Sequence, residues 1–242
     1  MGFKKRPAKG HSRNKRSLLT RGLRSKNRTE NLIAALDLGS NNCRLLIARP
    51  KKNGFKIVDG FSKIVRLGES VSSSRELSSS AMERTMKALS VCAELIVKYD
   101  VKYGRYVATE ACRASINGEK FLSRVEKEIG ITLEIIPSHE EAELTLIGCR
   151  TLLDNSCAYA LVFDVGGGST EISWVRLGSN VNPEIIDTIS LPYGVVNLTE
   201  TYGTPEISSK QYEILVGLIK NSIEPFEKKH SIKTKIKAGK VS

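Results

Sequence analysis

Two stretches of the chain repeat one pattern of apolar and polar positions. The apolar run at 158–163 (AYALVF) ends at Asp164, continues as Val165-Gly166-Gly167-Gly168-Ser169-Thr170-Glu171, and opens into a second strand-like segment. Residues 32–36 (LIAAL) likewise end at Asp37, continue as Leu38-Gly39-Ser40-Asn41-Asn42, and open into the apolar segment 45–48. Such short apolar runs predict buried strands and set each aspartate at a strand's carboxyl end, where open α/β sheets bind ligands. A third strand-like run ends at Gly68, 31 residues after Asp37, and at Gly194, 30 residues after Asp164. Helix-start signals follow in register, Ser80 with Glu83 and Ser208 with Gln211, both at capping-box spacing. The pattern predicts two copies of one strand-strand-strand-helix unit.

The first copy continues further. A strand is predicted over 105–109, a helix over 118–129 stopped by Gly130, a strand over 131–136, and a helix opened by Ser138-His139-Glu140-Glu141. The first lobe is therefore read as residues 30–156 and the second as 157–242. By register, the second lobe's fourth strand is expected near residue 233, where the chain reads Lys-Thr-Lys-Ile-Lys and stops at Ser242. The second lobe is expected to be incomplete, with a frayed segment after about Lys229 and poor turnover as a result.

The chemistry follows from the two loops. Consecutive glycines leave backbone N–H groups unshielded, so they close on phosphate oxygens as an anion-holding nest. Ser169 and Thr170 add hydroxyl donors. Asp164 and Glu171 are oxygen ligands suited to Mg²⁺, which takes one or two carboxylates besides phosphate and water. A plain glycine-rich hairpin turn is the alternative for the second loop alone. Glu141 has a competing explanation too, because Ser138-x-x-Glu141 is capping-box spacing and would spend the carboxylate on the Ser138 N–H. Arg113 has the guanidinium fork that suits phosphate, or a salt bridge to Glu110 or Glu140.

Five segments, 37–44 (DLGSNNCR), 108–115 (ATEACRAS), 135–142 (IIPSHEEA), 164–171 (DVGGGSTE) and 190–198 (SLPYGVVNL), resemble in their order the exopolyphosphatase and guanosine-pentaphosphate phosphohydrolase (Ppx/GppA) family. That family belongs to the acetate and sugar kinase, Hsp70 and actin superfamily. The resemblance implies an α/β protein of duplicated ribonuclease H-like lobes, the actin-like ATPase fold, with the phosphate loops facing each other. It implies a Mg²⁺-dependent hydrolase that releases orthophosphate from inorganic polyphosphate or guanosine pentaphosphate, working as a homodimer. Glu141, the second glutamate of the family's E-E-A motif, would be the base that activates water. Asp164 and Glu171 would hold the metal, with Asp37 assisting through water. Gly39, Ser40, Asn41, Arg113, Gly166, Gly167, Gly168, Ser169 and Thr170 would contact phosphate. Glu143 stands where the family commonly has Arg, and Asn42 where it commonly has Ser. A kinase of the same superfamily is disfavoured because the glycine-rich adenosine motif is missing. The remaining rival is a non-catalytic polyanion-binding fragment.

Composition changes the picture in one place. The net charge of +12 suggests a nucleic-acid binder until it is located. Eleven of the 38 basic residues fall within residues 1–29, which hold no acid, leaving 27 basic against 26 acidic residues elsewhere. This segment is read as a disordered tail. It serves either as a solubilising tail or, through residues 1–28, as an electrostatic arm for polyphosphate, RNA or anionic lipid. No apolar stretch approaches a membrane span. Five cysteines without a C-x-x-C pair fit a reducing compartment and a cytoplasmic location.

Overall fold

A computed structural model describes residues 31–154, 156–178, 181–203 and 207–242. The basic segment 1–29, and with it the expected disordered arm, lies outside them. The described residues form strands β1 (Ile33–Leu38), β2 (Asn42–Lys51), β3 (Gly54–Ile64), β4 (Tyr103–Ala108), β5 (Glu134–Ile135), β6 (Tyr159–Val165), β7 (Thr170–Gly178) and β8 (Val181–Leu191). The helices are α1 (Val71–Ser74), α2 (Ser79–Lys98), α3 (Glu110–Ala114), α4 (Gly118–Ile129), α5 (Ser138–Cys149), α6 (Val195–Tyr202), α7 (Ser209–His230) and α8 (Ile232–Lys237). Among these residues no helix is long and apolar enough to cross a membrane.

The first sheet has the order β3-β2-β1-β4-β5, with β1 antiparallel to β2 and parallel to β4. Strand alternation decides its faces. Ala34, Leu36 and Leu38 of β1, with Cys43, Leu45 and Ile47 of β2, form a core with Leu89 and Cys92 of α2 and Phe121 and Val125 of α4. Ala35 and Asp37 point to the opposite face. The second sheet has the order β6-β7-β8, all antiparallel, and β7 is covered on both sides. Ile172 and Trp174 pack with Phe226 of α7 and Ile232 of α8, whereas Val175 and Leu177 pack with Leu146 of α5. Thus α5, which closes the first lobe in sequence, covers the second sheet.

Three sequence expectations shift. Helix α2 is capped by Ser78, whose side chain accepts from the Ala81 N–H, two residues before the expected Ser80. The cap at Ser208 with Gln211 forms as a reciprocal pair. The 131–136 strand shortens to the two residues of β5. The third shift concerns the C-terminal segment, which is helical and packed rather than frayed after Lys229. Ser231 turns the chain at φ 51°, α8 follows, and Ile232 is buried. That extra helix displaces the fourth strand position from about 233 to 241. Val241 bridges Tyr159 in parallel, as Tyr103 pairs with Ile33 in the first sheet. The Ser242 N–H donates to the Tyr159 carbonyl at 2.9 Å, and the Leu161 N–H donates to the Ser242 carbonyl at 3.1 Å.

Trp174 is the chain's one tryptophan and is fully buried, stacked on Tyr159 at 4.8 Å between ring centroids. Its emission therefore reports on the second sheet. Phe226→Ala should lower the unfolding free energy read by that emission in denaturant by about 3–5 kcal/mol, the cost of an emptied aromatic core position.

Candidate functional site

The two loops are built alike. The Gly39 N–H donates to the Asn42 carbonyl at 2.9 Å, and the Gly166 N–H donates to the Ser169 carbonyl at the same distance. Each aspartate also faces, across its hairpin, the residue seven positions on. Asp37 is in register with Arg44, and Asp164 with Glu171, so each pair shares a sheet face.

The loops meet. A Cβ on Gly167 would lie 2.9 Å from the Asn41 backbone nitrogen and 3.0 Å from Ser40 Cβ. A Cβ on Gly194 would lie 2.4 Å from the Gly167 carbonyl carbon. Such distances are below ordinary contact, so only glycine admits this approach. Asn197 buttresses the second loop, its Oδ1 accepting the Gly194 N–H and its Nδ2 donating to the Gly168 carbonyl at 2.8 Å.

Between the loops lies a cavity of about 190 Å³, lined by Asp37, Glu110, Glu141 and Asp164 with Arg44, and by Gly39, Ser40, Asn41, Gly166, Gly167, Gly168 and Ser169. It shares Asp37, Arg44, Thr109, Glu141 and Asp164 with a wider apolar groove of about 740 Å³ on the open face of the first sheet. Ser40 and Ser169 are each 4 % exposed. Most of the expected site residues thus converge, but three sit otherwise. The Thr170 hydroxyl donates to the Tyr193 carbonyl at 2.6 Å. Glu171 is 3 % exposed and accepts from the Ser190 hydroxyl at 2.8 Å, beside Asp164 and outside the cavity lining. Arg113 donates to Glu110 at 2.7 Å, to Glu141 at 3.3 Å and to the Ile136 carbonyl at 2.6 Å.

Glu141 does not cap its helix. Pro137 occupies the cap position of α5 and no side-chain hydrogen bond closes it. The carboxylate instead accepts from both terminal nitrogens of Arg113. Burial pushes the Glu141 carboxyl up to about 7, helped by the like charges of Glu171 and Asp164, while Arg113 opposes the rise. Burial also raises Asp37 above the usual carboxylate range, with Arg44 pulling it back and Asp164 adding to the rise. Thr145 of α5 donates to Asp164 at 2.6 Å, tying the helix that carries Glu141 to the second loop's aspartate.

Sequence reading missed Arg44, Glu110, Thr145 and Asn197. Arg44 had a signal in the shared seven-residue spacing from the strand-end aspartate. The other three reach the site through tertiary packing. Among the described residues no three His, Cys, Asp or Glu side chains gather into a ready-made cation cage.

Residues 46–240 match the Ppx/GppA phosphatase family. The chain is 30% identical over 201 residues to a guanosine-5'-triphosphate,3'-diphosphate pyrophosphatase of Photobacterium profundum, covering 83% of this chain and 39% of that protein. It is 36% identical over 177 residues to exopolyphosphatase 2 of Mycobacterium tuberculosis, covering 69% of this chain and 54% of that protein. The crystal structure of the Aquifex aeolicus member of the Ppx/GppA family aligns at a TM-score of 0.64 and 30% identity, over 81% of this chain and 62% of that one. The chain thus spans about half or less of the length of these two curated relatives.

The elevated Glu141 carboxyl has a consequence for stability. Because its folded value lies above the ordinary 4.5, the native state holds more protons than the unfolded one, and stability is lost as pH rises through 4.5 to about 7. Without divalent cations, Glu141→Gln should therefore gain stability relative to the parent between about pH 5 and about pH 8 in denaturant titrations. An equal loss at both pH values would mean that Glu141 serves only the helix start.

Proposed function

The chain belongs to the Ppx/GppA phosphatase family, and from that membership we propose that it hydrolyses a terminal phosphoanhydride of inorganic polyphosphate or guanosine pentaphosphate, releasing orthophosphate. The observation that carries this reading is the meeting of both glycine loops and Glu141 on one cavity. The terminal phosphate lies between the loops, held by backbone N–H groups of Ser40, Asn41, Gly167, Gly168 and Ser169. Those of Gly39 and Gly166 close their own turns instead. Arg44 adds positive charge from the cavity wall. Glu141 orients the attacking water and accepts its proton. A carboxylate suffices because phosphoryl transfer asks mainly for positioning and charge neutralisation.

The residues present fit a hard divalent cation. Asp37 and Asp164 line the cavity from opposite lobes, and their mutual repulsion contributes to the raised Asp37. Two carboxylates are enough for Mg²⁺, which keeps waters and takes phosphate oxygens as partners. Asp37 and Asp164 would hold the ion, with Glu171 adding negative charge from beside Asp164. When bound, the ion would neutralise charge on the phosphate oxygens. Thr170 supports the loop from behind through Tyr193, and Arg113 acts on Glu141 rather than on phosphate directly. The buttressing by Asn197, Thr145 and α7–α8 supports catalysis over the rival of a binding fragment, because it holds the second hairpin firmly.

Residues 1–28 are proposed to gather the polyanion, supported by their eleven cations and lack of acid. A cytoplasmic location, resting on the cysteine pattern, and a homodimer, resting on family resemblance, complete the proposal.

Two measurements test these points. The purified chain should release orthophosphate from polyphosphate or guanosine pentaphosphate with Mg²⁺ and not with chelator, and Glu141→Gln should reduce this by about 10²- to 10⁴-fold. Tight binding of either substrate without any release would favour the binding fragment. Removing residues 1–28 should flatten the salt dependence of polyanion binding, which falls by roughly 0.7 log units per log salt for each neutralised phosphate of a single strand. An unchanged slope would rule out the arm.

A further inference from the structure

Glu110 opens α3 on the first lobe, with its carboxylate on the phosphate cavity and its stem against the second lobe's loop. A Cβ on Gly168 would lie 3.2 Å from Glu110 Cγ. One carboxylate oxygen of Glu110 accepts from Arg113 at Nε, 3.1 Å, and at its terminal nitrogen, 2.7 Å. This occupies the side of the guanidinium that bears Nε. The other terminal nitrogen goes to the Ile136 carbonyl, and both terminal nitrogens reach Glu141 at 3.3 Å. The contact to Glu110 is the shorter of the two ion pairs, so Glu110 and the Ile136 carbonyl together seat Arg113, and Glu141 takes the longer contact.

We infer that Glu110 is a positioning residue: it keeps the Arg113 guanidinium out of the phosphate cavity and lodged behind Glu141, so that the base is oriented by a cation that does not itself bind substrate. This rests on the reading of Glu141 as the base. The physical reason is competition. Arg113 stands beside a cavity made for phosphate oxygens, and guanidinium binds phosphate as readily as carboxylate. Released from Glu110, it would turn to the bound phosphate. Ground-state binding would tighten, and Glu141 would lose its orienting partner. The closeness of the Glu110 stem to Gly168 adds a link between lobes.

The test is a double-mutant cycle with Glu110→Gln and Arg113→Gln, using the full chain with Mg²⁺, and circular dichroism with Trp174 emission to confirm folding. Glu110→Gln should lower kcat and KM together, each by about tenfold, the size of one hydrogen bond to a charged group. Tripolyphosphate should bind the variant tighter in calorimetry, and that gain should shrink in the Arg113→Gln background. A fall in kcat at unchanged KM would overturn the inference, as a merely structural role does that. So would a binding gain undiminished without Arg113, which would mean that Glu110 acts only through its own charge. If the parent shows no turnover, the hydrolase reading fails, while the calorimetric cycle still decides where Glu110 holds Arg113.

Discussion

The structure depends on a steric allowance of one side chain. The two loops approach so closely that a methyl group at residue 167 would meet the Asn41 backbone nitrogen at 2.9 Å, and one at residue 168 would meet the Ser40 hydroxyl at 2.9 Å. The cavity, the facing aspartates and the position of Glu141 all require this approach. Any larger side chain would wedge the lobes apart and dilute the backbone donors that face the same space. The hydrogen bonds of Asn197 and of the two turn-closing glycines then hold the loops in the shape the contact demands.

Electrostatics completes what the contact begins. Four carboxylates and one arginine line a small cavity, an unfavourable balance for a phosphate ligand taken alone. Burial, with this crowding added, pushes the Glu141 carboxyl up to about 7. A divalent cation would relieve that repulsion.

Helix α5 joins the lobes in a second way. It ends the first lobe in sequence yet packs Leu146 into the core of the second sheet, and its Thr145 holds Asp164. Glu141 is therefore placed relative to the second hairpin by its own helix and relative to the first lobe by Arg113. Its position is thus determined from both sides of the cavity.

Much of this was legible in the chain. The apolar runs, their terminal aspartates and the spacing to Gly68 and Gly194 determine two homologous hairpins, because alternation and glycine placement are local properties of a strand and its turn. The reciprocal cap at Ser208 and the stop at Gly130 belong to the same class. The position of the fourth strand did not, since α8 inserts a turn whose anchoring comes from burial of Ile232 in a distant core. Nor did the fate of Glu141, whose spacing from Ser138 fits a cap equally well. Sequence by itself located the two hairpins and their strand-end aspartates; only the tertiary structure decided that Glu141 turns to Arg113, that Thr170 and Glu171 bond to Tyr193 and Ser190 outside the cavity lining, and that Glu110 enters it. Each of those choices is made by partners far away in the chain, and local periodicity carries no information about them.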